Sequence, residues 1–368
     1  MQMPNKDSLS TEQKIGQLFF IGIPATTIDD AARKLIETVR PGGVCLFARN
    51  ISDAAQTRAL CDDLRSNLDI EPFIAVDQEG GLVDRLRRIL GPMPAASKID
   101  SAETAGKQAA LIGEALQTLG FNMDFAPVVD VISEERAGRV NGLHSRAYGS
   151  TAADVVAYAS AFLDSLQSKN ILGCLKHFPG QGASSVDSHE ELPTVNLTDD
   201  EFRAVDLYPY RSMLQIKSVR AVMVAHAAYP NLELQETDRN GKLLPSSLSF
   251  KFVSNLLRKE LGFDGLVLTD DLEMGAILKN YGIGEASLMA INAGNDMVAI
   301  CAKPDLIFQA HENMLAAFND GRLETKTLDN AVERIFRLKS VIPEPIAMDM
   351  SGIELVAQQI TALNQSLS

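Results

Sequence analysis

Short, unbroken apolar runs rich in β-branched residues recur along the chain. Between them lie longer stretches in which apolar residues fall three or four apart. The runs read as strands: "QLFFIGI" (17–23), "GGVCLFA" (42–48), "PFIAVD" (72–77), "MDFAPVVDV" (123–131), "ILGCLKHF" (171–178), "AVMVAHA" (221–227), "GLVLTD" (265–270) and "DMVAI" (296–300). They are continuous rather than alternating, the pattern of strands covered on both faces. The intervening segments, among them 29–39, 53–68, 104–120, 152–169, 250–262 and 304–321, have the spacing of amphipathic helices.

Eight strand–helix alternations predict an α/β fold, a (β/α)8 TIM-type barrel rather than an open doubly wound sheet. The turn after the first run, "GIPATT", has none of the Gly-rich phosphate fingerprint that a doubly wound nucleotide fold carries there. No Pro/Ser-rich linker or internal repeat divides the chain. A single domain is therefore expected over 1–368, with the barrel core at about 12–340 and 341–368 a C-terminal extension. In that extension Ile353, Val356, Ile360 and Leu363 are spaced as one face of a helix packed on the outside.

Composition narrows the partners. There are 34 basic and 48 acidic residues, a formal charge of −14, which argues against nucleic acid or an anionic membrane surface. Cys45, Cys61, Cys174 and Cys301 are scattered. Neither disulfide staples nor a zinc cluster is expected, and a reducing compartment fits. The N-terminal stretch "MQMPNKDSLSTEQKIG" has no basic region followed by an apolar one, and no run of about 18 apolar residues occurs. A soluble, cytoplasmic monomer is expected.

In such a barrel the chemistry gathers at the C-terminal ends of the strands. The second run is followed by "ARN" (48–50), the third ends in Asp77 with Arg85 beyond it, and His144 and Arg146 come after the fourth. The fifth carries Lys176 and His177, the sixth His226, and the seventh ends in Asp270 and Asp271. Bland readings compete. A strand-end aspartate can cap the next helix, His226 reads as a hydrogen-bonded core histidine, and Asp187 and His189 can be a turn aspartate and a surface histidine. The loop around that last pair, "KHFPGQGASSVDSH", shifts the balance. Pro179, Gly180 and Gly182 give it sharp turns, and such a loop can bring the pair over the barrel mouth. An aspartate can orient the histidine and raise its pKa, so that the ring donates a proton and later accepts one. A carboxylate across the pocket can attack as nucleophile. Together these make a retaining glycosidase. Zinc held by His177, His189, His226 and Asp270 is the weaker alternative, because the His-x-His pair of barrel metallohydrolases is missing. Neither metal nor cofactor is expected.

The stretches "AVDQEGG", "FAPVVDV", "KHFPG", "DSH", "GFDGLVLTDDLEM" and "AGNDM" resemble bacterial β-N-acetylglucosaminidases of glycoside hydrolase family 3, cytoplasmic enzymes of cell-wall recycling. The resemblance runs from about residue 12 to about residue 340. It implies Asp270 as nucleophile, His189 as general acid/base and Asp187 as the partner of His189. It also implies that Asp77, Arg85, Arg146, Lys176 and His177 hold the sugar beside the scissile bond. The implied substrate is a muropeptide fragment with a terminal β-linked N-acetylglucosamine, hydrolysed with retention through a covalent glycosyl-enzyme. A β-glucosidase or β-xylosidase of the same family, or a non-catalytic N-acetylglucosamine binder, is the alternative. The Asp-Ser-His loop favours N-acetylglucosamine, because the family's β-glucosidases lack it. Three positions depart from the family pattern: Gln181 in place of His, Leu82 in place of Arg and Ala147 in place of Ser. They bear on loop closure and substrate preference.

Overall fold

The computed structural model describes residues 6–138, 141–184, 191–216 and 218–367. Its strands, in chain order, are β1 (Phe19–Gly22), β2 (Gly43–Leu46), β3 (Phe73–Val76), β4 (Gln78–Gly80), β5 (Val83–Asp84), β6 (Met123–Asp124), β7 (Leu172–Phe178), β8 (Ala221–Val224), β9 (Leu266–Asp271) and β10 (Met297–Ile300). Eight of them close into a parallel barrel in the order β1-β10-β9-β8-β7-β6-β3-β2, and β4 and β5 form a separate antiparallel hairpin. The (β/α)8 barrel read from the apolar runs is therefore the fold, and each run supplies one barrel strand.

The main departure concerns the run at 123–131. Only Met123–Asp124 pairs as a strand, and a single bridge from Val128 to Lys176 continues the line. Pro127 has no N–H to donate, which breaks the ladder there. The hairpin was not foreseen either. It turns at Gly80 and Gly81, both at positive φ, and a Cβ on Gly80 would lie 2.1 Å from the carbonyl oxygen of Pro94, so the close approach needs glycine.

Local chemistry sets the helix starts. Asp29, Ser101 and Thr151 cap the helices Asp30–Val39, Ala102–Leu119 and Ala152–Ser168 by accepting from the N–H three residues on. The segment expected to be helical at 250–262 is a π-type helix over Lys251–Glu260. The C-terminal helix Met350–Ser366 buries the expected face, Ile353, Val356, Ile360 and Leu363, and packs on Ala102–Leu119.

Strands β1, β2 and β3 are buried along their whole length, as coverage on both faces requires. In the core, the ring of Phe20 lies 5.9 Å from Phe73 and 5.2 Å from Phe125, so the core is packed rather than hollow. At the N-terminal end of the strands one amine interrupts this apolar filling. Lys339 is 2% exposed, donates to Gln17 Oε1 at 2.7 Å and sits 5.3 Å from the Phe73 ring centre. No helix among the described residues is long and apolar enough to cross a membrane.

Candidate active site

A cavity of about 360 Å3 opens at the C-terminal end of the barrel. Its wall includes Asp77, Arg85, Arg146, Lys176, His177 and Asp270, together with Asp271, Glu273, Asn141 and Gln181. Six of the eight expected site residues are thus brought to one cavity. The other two, Asp187 and His189, lie outside the described residues.

Strand β7 supplies the centre. Consecutive strand residues ordinarily face opposite ways, yet Lys176 and His177 both line the cavity, and the pairing of β7 with β8 changes register between Leu175 and Phe178. Lys176 is 2% exposed, and its ammonium lies 2.7 Å from Asp77 Oδ1 and 2.6 Å from Glu79 Oε1. Arg146 grips the same Glu79 with two bonds, of 2.8 and 2.9 Å. Burial alone would favour the neutral forms. In Glu79 it is outweighed by Arg146 and Lys176, which hold the carboxyl well below the usual carboxylate range. In Lys176 it is outweighed by Asp77 and Glu79, which raise the amine above its ordinary value. The cluster is therefore a fixed set of charges.

His177 is fixed from behind. Its Nδ1 lies 2.7 Å from Asp130 Oδ2, and the other oxygen of Asp130 accepts from the Gln181 N–H at 2.8 Å. With Nδ1–H donated to the carboxylate, Nε2 turns to the cavity, 3.4 Å from Arg146 and 4.0 Å from Asp270 Oδ2. Arg85 stands more loosely, 3.9 Å from Asp77 and beside the Phe47 ring.

Asp270 and Asp271 end β9. Asp270 does not cap a helix; its Oδ1 accepts the N–H of Asp271 at 2.8 Å. Burial pushes its carboxyl up. His177 and His226, the Asp271 N–H and Lys176 more than offset that, and the net shift is downward. Asp271 moves the other way. Burial pushes it up to about 7, against the pull of the Glu273 N–H, and the charges of Glu273 and Asp270 add to the rise. Two adjacent carboxyls are thus split, one kept ionised and one half protonated near neutrality.

The core reading of His226 holds. It is fully buried, with Nδ1 2.7 Å from Ser247 Oγ and Nε2 3.1 Å from the Asp271 carbonyl oxygen, and burial lowers its pKa. Since the carbonyl can only accept, Nε2 carries the proton and Nδ1 accepts from the serine. His144 is exposed on the turn that carries Arg146 and is not part of the cavity wall.

The chain leading to 185–190 is tied at this mouth. Asn141 donates to the carbonyls of Gly182 and Ser184 at 3.2 and 3.1 Å, Tyr229 donates to that of Gly180 at 2.8 Å, and a Cβ on Gly182 would lie 2.2 Å from the Val131 carbonyl. Gln181 and Ser184 line the same cavity as Asp270. Of the departures from the family pattern, Gln181 and Ala147 are buried, and Leu82 is 78% exposed at the hairpin tip. Glu79, Asp130 and Asn141 were not singled out from sequence. The available signals were an acid directly before Gly-Gly and an aspartate closing "APVVD".

Comparison with known proteins gives the family. Residues 10–338 match the glycosyl hydrolase family 3 N terminal domain. The chain is 31% identical over 343 residues to Beta-hexosaminidase A of Pseudoalteromonas piscicida, an alignment that takes in 88% of this chain but 57% of that protein. It is 32% identical over 286 residues to a Beta-hexosaminidase of Tolumonas auensis, covering 76% of this chain and 81% of the relative. The structure of a family 3 β-N-acetylglucosaminidase from a Paenibacillus species superposes with a TM-score of 0.85 at 32% identity, over 97% of this chain and 69% of that one. With residues 10–338 matched by that family's model, the chain belongs to glycosyl hydrolase family 3.

Proposed function

We propose that the chain is a retaining, exo-acting β-N-acetylglucosaminidase that releases terminal β-linked N-acetylglucosamine from peptidoglycan fragments. Asp270 attacks the anomeric carbon while His189, oriented by Asp187, protonates the departing oxygen. His189 then deprotonates the water that releases the sugar with retention. Asp77, Lys176 and His177 bind ring hydroxyls, and Arg85 and Arg146 shape the pocket around them.

One observation carries the choice of nucleophile. Asp77, Glu79 and Asp130 are each engaged by a lysine, arginine or histidine at 2.7–2.9 Å or closer. Among the described residues, the Asp270 carboxylate accepts only its neighbour's N–H, with His177 4.0 Å from its other oxygen. It is a carboxylate kept ionised yet left open towards the cavity, as a nucleophile must be. The position of the 178–184 segment supports the role of His189, since that segment enters 185–190 from the mouth that holds Asp270. The beta-hexosaminidase relatives support N-acetylglucosamine over glucose or xylose. The four free, buried cysteines suit a cytoplasmic setting.

A panel of aryl β-glycosides tests the reading. Turnover of the N-acetylglucosaminide should exceed that of the glucoside and xyloside, and Asp270→Ala should abolish it while the fold survives. A preference for glucoside, or an active Asp270→Ala variant, would overturn it.

A further inference from the structure

We propose that Ser247 and His226 are positioning residues, a hydrogen-bonded pair that fixes the end of β9 and through it the direction of the Asp270 carboxylate. The inference rests on Asp270 as the nucleophile and adds what aims it. The register of β8 with β9 ends at Val224 opposite Thr269. Asp270 and Asp271 therefore project past the backbone ladder on that side. On the other side the Leu272 N–H still donates to the Ala299 carbonyl at 2.9 Å. A side chain takes the place of the ladder bond on the β8 side: His226 Nε2 lies 3.1 Å from the Asp271 carbonyl oxygen. Asp271 in turn donates its N–H to Asp270 Oδ1 at 2.8 Å. Among the described residues that is the one hydrogen bond the carboxylate accepts, so holding Asp271 holds the nucleophile.

Ser247 makes the ring a one-way donor. A carbonyl can only accept, so Nε2 must carry the proton. The hydroxyl of Ser247, 2.7 Å from Nδ1, secures that tautomer by donating to the other nitrogen. The serine is itself pinned. Its N–H donates to the Ala225 carbonyl at 3.1 Å, and Asn295 donates to its carbonyl at 2.9 Å. Filling space would not require this, since an apolar side chain fills a buried position without polar groups that must each find a partner. Both residues are fully buried, and neither belongs to the cavity wall. Neither can touch a sugar there, so their influence on the reaction has to travel through Asp271 to Asp270.

The test separates attack from binding. The probe is a 5-fluoro N-acetylglucosaminyl fluoride. Its fluoride leaves with the bonding electron pair and needs no protonation, as the Asp270 carboxylate bonds to the anomeric carbon. The fluorine at C5 slows release of the sugar, so the rate of labelling reports the attack. Quenched samples of the full-length protein are weighed intact, and the labelled peptide is sequenced. In the wild type the label should be on Asp270. Ser247→Ala, which frees the ring to take the wrong tautomer, and His226→Phe should each label about 10-fold more slowly or less. Binding of free N-acetylglucosamine, measured by calorimetry, should not change. His226→Gln keeps an N–H for the Asp271 carbonyl whatever Ser247 does. It should recover most of the rate, and adding Ser247→Ala to it should cost nothing further. A general loss of packing would show neither the split between attack and binding nor that rescue. Wild-type labelling in folded Ser247→Ala, or slower labelling that merely follows weaker sugar binding, overturns the proposal. Label on a residue other than Asp270 in the wild type overturns the nucleophile instead, and the sequenced peptide tells the two failures apart. Circular dichroism establishes that each variant is folded, and Ser247→Ala alone is decisive.

Discussion

Lys339, at the opposite end of the barrel from the cavity, allows a quantitative test of the electrostatics. Among the described residues its ammonium would have one hydrogen-bond acceptor, Gln17, and an aromatic face. Burial pulls its pKa down to about 7, only partly opposed by Glu71. An unfolded lysine titrates near 10.4. Between about pH 7 and 10.4 the unfolded chain binds the extra proton, so stability rises with pH across that window. Below about pH 7 the full penalty applies, a difference of about 3.4 pKa units or roughly 4–5 kcal/mol. The variant Lys339→Met removes the titration and fills similar space, but leaves the Gln17 oxygen without its donor, at about 1–3 kcal/mol. At pH 6 the methionine variant should therefore be more stable by about 2–3 kcal/mol. Urea unfolding at pH 6, 7.5 and 9 should show that advantage shrinking by about 2–3 kcal/mol towards pH 9. The difference between the two proteins cancels every other titrating group. Activity should be unchanged, because the substitution lies at the stability face of the barrel. A difference that stays constant with pH would refute the argument.

At the mouth, Asp130→Asn keeps an oxygen for the Gln181 N–H but turns a donor towards His177 Nδ1, forcing the proton to Nε2. Loss of a charge-assisted hydrogen bond of about 1.5–3 kcal/mol should lower kcat/KM by roughly 10–100-fold, mainly through KM. An unchanged kcat/KM would speak against His177 as a sugar ligand. Lys176→Met leaves Asp77 and Glu79 with an unbalanced buried charge. It should cost about 3–5 kcal/mol, read as a lower urea midpoint, together with loss of sugar binding. His189→Ala should depress hydrolysis of substrates with poor leaving groups far more than of activated aryl glycosides; equal losses would argue against an acid role.

The barrel was legible because each strand, covered on both faces, writes its own apolar run, and because each cap lies beside the helix it starts. Asp29, Ser101 and Thr151 act within three residues, and the tail helix shows its buried face as a bare period. Pro127 cut one expected strand short for a reason equally local. The site was legible only in part. Asp77, Lys176, His177 and Asp270 end apolar runs and so stand out. The pairs that fix them do not: Asp130 meets His177 across 47 residues and Glu79 meets Arg146 across 67. Nothing local signals such an approach. His226 was read correctly from its apolar surroundings, because an imidazole buried just beyond a strand must find partners. Closing the barrel likewise makes β10 and β2 the two neighbours of β1.

The same closure explains why charges can be stored at the mouth at all. Burying Lys176, Glu79 and Arg146 in an apolar setting would be prohibitive one at a time. They are tolerated as a set because β4, β7 and the 144–146 turn deliver opposite signs to within 3 Å of one another. The frame that holds them there is the apolar barrel, not the ion pairs themselves, since pairs of this kind seldom add net stability. Their benefit has to be sought in preorganisation: donors and acceptors already oriented and dried before a sugar arrives need no reorganisation when it does. On that view, apolar residues replacing Lys176, Asp77, Glu79 and Arg146 together would leave stability nearly intact and remove the affinity for the sugar. The single substitution at Lys176, by contrast, damages both. That divergence separates a binding site held by its frame from a structural ion cluster that merely borders a cavity.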